Sequence, residues 1–209
     1  MALRAVLFDY GMVLSVQPPA EAHAALLRLS GLSEEKLDSL YWANRPAYDL
    51  GTLTGEGFWR KLAQDAAISL PPSTIDELVA WDCRMWMDEN SAMIAWQLAL
   101  KKRGLLTGIL SNMGDAVLAA MKRKFDWLDR FDLLVWSYQL HLAKPDPAIF
   151  RYALGKLNVA PAETLFIDDR TDNVDAARAL GIQSLVFSGI EQLRADLVAH
   201  DLSKELPLP

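Results

Sequence analysis

Five short, uninterrupted apolar segments constrain the fold of this chain more than any other feature of its sequence. None of them alternates apolar and polar residues, so each is expected to be a strand covered on both faces, as in a parallel sheet. Segments with helical periodicity lie between them. This alternation predicts an α/β fold with a doubly wound, Rossmann-like sheet. The predicted strands span residues 5–8, 105–110, 133–136, 164–167 and 184–187.

One long region breaks the alternation. Residues 15–89 contain several helical patterns and no convincing strand. This region is therefore expected to be a small α-helical insertion after the first strand. The predicted core comprises residues 1–14 and 90–209, which a chain of 209 residues can accommodate as one domain with an insertion.

Composition excludes several classes of function. The chain has a net charge of −6 and no basic run, so binding to nucleic acid or to an anionic membrane is not expected. The first residues do not resemble a signal peptide, and no apolar stretch is long enough to span a bilayer. A single cysteine, Cys83, excludes an intramolecular disulfide and is expected to be a buried apolar side chain. A cytoplasmic protein is the resulting expectation.

Polar side chains that could take part in catalysis or binding follow the first two predicted strands. Asp9 comes directly after the first strand, where a rigidly held carboxylate can act as a nucleophile. Ser111 and Asn112 follow the second strand and can bind phosphate oxygens where the next helix begins. Open α/β sheets bind ligands at these carboxyl ends. Taken singly, each motif is more typical of a turn or a helix cap.

The third and fourth strands are followed by a lysine and by a pair of acids. Lys144 can neutralise phosphate charge, although most lysines are simply solvated. Asp168 and Asp169 repel each other, and a bound cation such as Mg²⁺ would offset that repulsion. Helix capping by Asp172 or Asn173 would explain those two residues but not the acidic pair.

The order of these residues resembles the haloacid-dehalogenase superfamily over essentially the whole chain. Asp9, Ser111, Lys144 and the pair Asp168-Asp169 match its four motifs in sequence. The helical insertion resembles the first class of cap in that superfamily, which makes residues 15–89 the expected cap. The segment from Gly51 to Trp59 resembles a recurring cap sequence.

The resemblance implies a role for each motif. Asp9 and Asp169 are expected to bind Mg²⁺ directly, together with the backbone carbonyl of Gly11. Asp168 and Asn173 are expected to support that metal site, and Asn173 is expected to support Asp169. The resemblance places Lys144 in catalysis, and it assigns phosphate or substrate binding to Ser111, Asn112 and Lys144.

Gly11 departs from the pattern of most phosphatases in this superfamily, which have a general acid two residues after the nucleophile. A sub-group resembling sugar-phosphate phosphatases, with Asp-x-Gly at this motif, also lacks that acid. A dehalogenase would need neither the acid nor a metal, but dehalogenases of this family lack the acidic pair. A catalytically weak protein that binds a phosphorylated metabolite is a third alternative. His141, close to Lys144, is a candidate proton donor, although a lone loop histidine is usually a surface residue.

The sequence therefore predicts a Mg²⁺-dependent hydrolase of the haloacid-dehalogenase type. Its expected reaction is removal of phosphate from a small phosphorylated metabolite, such as a sugar phosphate, through an aspartyl-phosphate intermediate. The alternatives are a 2-haloacid dehalogenase and a weakly catalytic binding protein. Either a monomer or a homodimer is compatible with the sequence.

Overall fold

A five-stranded parallel sheet forms the centre of the structure, a computed structural model that describes residues 2–208. The strands lie in the order β3-β2-β1-β4-β5, so the chain winds outward from β1 in both directions. This confirms the predicted fold class, and the predicted strand ends differ from the structure by at most one residue. The strands are β1 (Ala5–Phe8), β2 (Leu106–Ser111), β3 (Leu133–Trp136), β4 (Thr164–Asp168) and β5 (Gln183–Val186).

The central strand shows why its sequence is apolar without alternation. All four residues of β1 are fully buried. Ala5 and Leu7 belong to the hydrophobic cluster on one face of the sheet, whereas Val6 and Phe8 belong to the cluster on the other face. Because successive side chains of a strand point to opposite faces, only a strand covered on both sides requires such a run.

Six α-helices between residues 91 and 199 accompany the sheet. Pro147 is the first residue of α8 (Pro147–Leu157), and the Asp146 carboxylate accepts a hydrogen bond of 2.8 Å from the Ala148 N–H, which caps that helix. The six are α5 (Ser91–Lys102), α6 (Asp115–Lys124), α7 (Ser137–Leu140), α8 (Pro147–Leu157), α9 (Thr171–Ala179) and α10 (Ile190–Ala199).

The insertion consists of four helices with a hydrophobic cluster of their own, which includes Tyr48, Phe58 and Trp59. Its two ends meet: Ser15 and Glu89 form an antiparallel bridge next to the edge of the core. We refer to residues 15–89 as the cap, and the domain division itself remains a prediction. The cap helices are α1 (Ala20–Ser30), α2 (Glu34–Asp49), α3 (Gly55–Asp65) and α4 (Pro72–Met85). No helix within residues 2–208 has the length and hydropathy that crossing a membrane requires.

The cap contacts the core through backbone groups near the end of α2. The Gly55 N–H donates a hydrogen bond of 2.9 Å to the Asp115 carboxylate of α6. Gly51 has a φ of +71°, and a Cβ atom added there would lie 2.5 Å from the Tyr138 carbonyl oxygen of α7. Any side chain at position 51 would be strained by the positive φ and would also clash with the backbone of Tyr138.

Replacing Gly51 with alanine should destabilise the protein by more than the same change at Gly31. Gly31 has a similar φ of +67° but nothing within 4 Å of an added Cβ, so Gly31→Ala is the matched control. Left-handed backbone costs a non-glycine residue about 1–2 kcal/mol, and Gly51→Ala adds the clash with Tyr138. Urea unfolding of both variants measures the difference. An equal loss of stability in the two variants would show that Gly51 and Tyr138 of α7 are not closely packed.

Candidate active site

The nucleophile candidate is held at the carboxyl edge of the sheet by the strand next to its own. Asp9 directly follows β1, and its N–H donates a hydrogen bond of 2.8 Å to the Ile167 carbonyl of β4. This bond continues the pairing of β1 with β4 by one residue. The Asp9 side chain is thereby fixed beside Asp168, the last residue of β4.

An ammonium group joins these two strand ends. Lys144 Nζ lies 2.9 Å from an Asp9 carboxylate oxygen and 2.6 Å from an Asp168 carboxylate oxygen. Exposure of the three residues is 5% for Lys144, 7% for Asp9 and none for Asp168. A buried charge requires partners of this kind, because removing it from water is costly.

The protonation of this group follows from burial and from the charges around it. Burial raises the pKa of Asp9 above its ordinary value, and the positive charge of Lys144 opposes that shift. For Lys144, burial lowers the pKa, but the two carboxylates outweigh it and the net shift is upward. Burial and the charge of Asp168 raise the pKa of Asp169. The site therefore contains one positively charged group, the Lys144 ammonium, and three carboxyl groups.

Asp168 is anchored by more than the lysine. The Asn173 side-chain amide donates to both of its carboxylate oxygens, at 3.0 and 3.1 Å, and the Arg170 N–H donates at 2.9 Å. The sequence analysis expected Asn173 to support Asp169, whereas this amide contacts Asp168. Asn173 is the third residue of α9, and side chains in the first turn of a helix tilt back towards its N-terminus, here towards the end of β4.

Three carboxylates converge at this edge, where a cation would offset their mutual repulsion. Oxygens of Asp9, Asp168 and Asp169 lie within 4.8 Å of one another. Hard oxygen donors of this kind suit Mg²⁺, which usually keeps several waters. Asp169 is half-buried and faces the adjoining cavity, whereas Asp168 is fully occupied by its protein partners. Gly11 also lines the cavity, beside the expected metal ligands.

Asn112 positions the lysine loop. Its amide donates to the Lys144 carbonyl, and its carbonyl accepts from the Lys144 N–H, both at 2.8 Å. This reciprocal pair fixes the backbone of Lys144, a role that the sequence did not suggest. Ser111 is buried next to Asp9. Neither residue caps α6, whose N-cap is Gly114, so the alternative reading of this motif as a helix cap is wrong.

A cavity of about 360 Å³ opens above these groups, between core and cap. Trp42, Arg45 and Asp49 line it from α2, and the sequence analysis did not identify Arg45 or Asp49 as site residues. Trp42, Arg45 and Asp49 are separated by three and then four positions, so they lie on one face of the helix. That spacing is the sequence signal from which they could have been predicted. The cavity is lined by Asp9, Tyr10, Gly11, Met12, Pro18, Trp42, Arg45, Asp49, Met85, Trp86, Ser111, Asn112, Met113, Lys144, Asp169, Arg170 and Asn173.

Two further side chains connect the cap to the core near the cavity. The Ser137 hydroxyl accepts from the Met113 N–H at 2.9 Å and donates to the Asp49 carbonyl at 2.5 Å. His141 lies 2.8 Å, through Nδ1, from the Leu50 carbonyl. His141 is exposed and is not among the residues lining the cavity, so it does not reach the reacting groups as a proton donor.

Comparisons with known proteins identify the family. A family model for haloacid dehalogenase-like hydrolases matches residues 51–181. The phosphatase MT3486 of Mycobacterium tuberculosis (strain CDC 1551 / Oshkosh) is 29% identical, over 97% of this chain and 95% of that protein. An (S)-2-haloacid dehalogenase of Pseudomonas sp. (strain CBS-3) is 27% identical, over 99% of this chain and 95% of that protein. These identities are too similar to decide between the two reactions.

Other relatives and solved structures agree with this family. The bifunctional epoxide hydrolase of mouse is 27% identical over 72% of this chain, and the chain spans only 28% of that protein. The corresponding protein of pig is 28% identical over 89% of this chain, and the chain spans only 36% of it. The crystal structure of the HAD family enzyme BT-2542 from Bacteroides thetaiotaomicron, a complex with magnesium and inorganic phosphate, is 23% identical with a TM-score of 0.72. That match covers 88% of this chain and 94% of the other. It establishes the likeness of the fold.

The two neighbouring acids should respond oppositely to neutralisation. Asp168→Asn replaces a carboxylate that accepts hydrogen bonds from Lys144, Asn173 and the Arg170 N–H by an amide that can accept through one oxygen only, which is expected to lower the free energy of unfolding by about 3 kcal/mol. Asp169→Asn should leave stability unchanged or raise it, because its raised pKa means that the ionised form is unfavourable in the fold. Urea unfolding at neutral pH measures both. Equal destabilisation would contradict the distinction between an anchored Asp168 and a cavity-facing Asp169.

Proposed function

Because the chain belongs to the haloacid dehalogenase-like hydrolases, we propose that it is a phosphatase that hydrolyses a small phosphate monoester with Asp9 as nucleophile. The observation that supports this most strongly is the excess of negative charge at the strand ends. Asp9, Asp168 and Asp169 converge there, and Lys144 supplies one compensating charge. A divalent cation at these oxygens would balance the site, and phosphoryl transfer is a reaction that uses such a cation.

The chain's own residues then have distinct tasks. Asp9 attacks phosphorus in line, and the ester oxygen departs with its electron pair, leaving an aspartyl-phosphate. Lys144 stabilises the negative charge on the transferred group, since its ammonium already lies beside Asp9. Ser111, which is buried next to Asp9, is placed to donate to a phosphate oxygen. Water then attacks the phosphorus of the intermediate and releases phosphate and free Asp9.

The metal and its ligands are part of the same proposal. Asp9, Asp169 and the Gly11 carbonyl would hold Mg²⁺, with Asp168 and Asn173 in support. When bound, Mg²⁺ supplies positive charge that lets an anionic phosphate approach an anionic nucleophile. Asn173 and Lys144 keep the Asp168 carboxylate fixed, so the neighbouring Asp169 is presented from a rigid strand end.

A dehalogenase is the second candidate, and two observations favour retaining it. Gly11 provides no general acid, and a halide needs none when it leaves. The haloacid dehalogenase relative is nearly as similar as the phosphatase. Against this reading, attack on carbon gives no task to Asp169, whose charge would only repel the carboxylate of a haloacid.

Replacing the nucleophile should abolish turnover and preserve the fold. Asp9→Asn is expected to lower phosphate release from acetyl phosphate, with Mg²⁺ present, by at least about 10⁴-fold, because an amide cannot form the acyl-phosphate. The exposed Asp76 on α4 provides the matched control, Asp76→Asn. Circular dichroism verifies folding of both variants. Retained activity in Asp9→Asn would refute the nucleophile role.

Metal removal separates the two candidate reactions. EDTA should eliminate phosphate release, and added Mg²⁺ should restore it, whereas 2-chloropropionate should yield no halide under either condition. A chloride-selective electrode and a phosphate assay on the same preparation give both answers. Halide release that survives EDTA would establish the dehalogenase reading instead.

A further inference from the structure

The space next to the nucleophile is bounded by an aromatic ring and not by an acid. A Cβ atom added to Gly11 would lie 3.9 Å from an Asp9 carboxylate oxygen and 3.5 Å from Trp86 Cζ3. The Trp86 indole, at the end of α4, therefore lies against the position from which a second acid would reach a departing oxygen. A leaving group here meets an apolar surface.

The mouth of the cavity is apolar as well. Trp42 on α2 is 54% exposed and Met12 is 37% exposed, and both line the cavity. Large apolar side chains left in water beside a concave site are typical of ligand-binding surfaces. Trp42 and Trp86 thus give the cavity two aromatic surfaces of the kind that a flat apolar group contacts well.

The charged groups that the cap contributes to the cavity are already paired. Arg45 donates from Nε to Asp49 at 2.8 Å and from Nη1 to the Tyr41 hydroxyl at 2.6 Å, and its guanidinium lies 5.3 Å from the Trp86 ring centroid. Arg170, on the core side, is paired with Asp172 through two hydrogen bonds. Among the described residues lining the cavity, each cation is thus paired with a carboxylate. A second anionic group on the substrate would find no uncompensated charge.

From these observations we infer that the substrate is a small aryl phosphate, the phosphate monoester of a phenol. This inference rests on the proposed function and specifies its leaving group. It departs from the sugar phosphate suggested by the sequence, because the cavity provides aromatic surfaces and its positively charged side chains are each paired with a carboxylate. Trp42 is the residue that we assign to recognition of the aromatic ring.

The chemistry of the leaving group agrees with this assignment. Asp9 forms a bond to phosphorus while the bond from phosphorus to the aryl oxygen breaks, and the electron pair leaves on that oxygen. A phenol has a pKa of about 10, so its phenolate departs without a proton donor and is protonated afterwards by solvent. An aliphatic alkoxide is far more basic and requires an acid at the moment of cleavage.

The test is a comparison of leaving groups with the wild-type protein and Mg²⁺. Phenyl phosphate and its nitro-substituted forms vary the leaving group, benzyl phosphate retains the ring with a poor leaving group, and glucose 1-phosphate replaces the ring with hydroxyls. We expect kcat/KM for phenyl phosphate to exceed that for both others by at least about 10²-fold, the lower limit of what a general acid supplies. Equal values for phenyl and benzyl phosphate, or a preference for glucose 1-phosphate, would overturn the inference.

Acetyl phosphate keeps this test separate from the proposed function. It has a good leaving group and no ring, so its Asp9-dependent hydrolysis reports on the phosphatase chemistry alone. If acetyl phosphate is hydrolysed but aryl phosphates are not preferred, only the substrate inference fails. If no substrate in the series is hydrolysed in an Asp9-dependent manner, the proposed function fails with it.

A pair of tryptophan variants tests the recognition role. Trp42→Leu should lower the ratio of kcat/KM for phenyl phosphate to that for acetyl phosphate by about tenfold, the effect of losing one aromatic contact. Trp81, on α4 of the same cap, does not line the cavity, so Trp81→Leu should retain the wild-type ratio. Trp42 is exposed, and its loss should not prevent folding. An unchanged ratio in Trp42→Leu, or equal reductions in both variants, would contradict the assignment.

Discussion

The Lys144 ammonium lies between two buried carboxylates, and much of the site depends on that contact. Without it, Asp9 and Asp168 would carry like charges at adjacent strand ends with little water to screen them. The lysine reaches them from a loop whose backbone is fixed by Asn112, and Asp168 is held from α9 by Asn173. Residues at the ends of β1, β2 and β4 are therefore connected through Lys144, in part by its ammonium and in part by its backbone.

This arrangement also explains how the two acids at the end of β4 differ. Asp168 is used internally, since its oxygens are occupied by lysine, amide and backbone donors. Asp169 faces the cavity with a raised pKa, caused by burial and by its neighbour's charge. A cation would relieve the repulsion that the protein leaves unbalanced. The charges of these side chains therefore support a metal at the site whichever reaction is catalysed.

Much of the core could be predicted from the sequence because its signals are local. A strand buried on both faces needs a continuous apolar run, and the carboxyl ends of parallel strands meet at one edge, so Asp9, Ser111, Lys144 and the acidic pair could be placed together. Contacts between distant segments carry no such signal. The pairing of Asn112 with the Lys144 backbone, and the position of the Trp86 ring beside Gly11, depend on how loops and cap pack.

The cap adds what the strand ends do not provide, which is a surface for the rest of the substrate. Its α2 helix presents Trp42, Arg45 and Asp49 to the cavity, and its connection to the core passes through Ser137 to the backbone after β2. A change in the position of the cap would therefore move the loop after β2, which is expected to bind phosphate. Such closure can exclude bulk water while the aspartyl-phosphate forms.

The central claim is that Asp9 becomes covalently phosphorylated during turnover. Rapid acid quenching of the protein with acetyl phosphate and Mg²⁺, followed by mass spectrometry of the peptide containing Asp9, tests it directly. The account predicts a phosphoryl group on Asp9, with oxygen from ¹⁸O-labelled water appearing in the released phosphate. Phosphate release without any phosphorylated Asp9, or ¹⁸O incorporated into the Asp9 carboxylate, would contradict it.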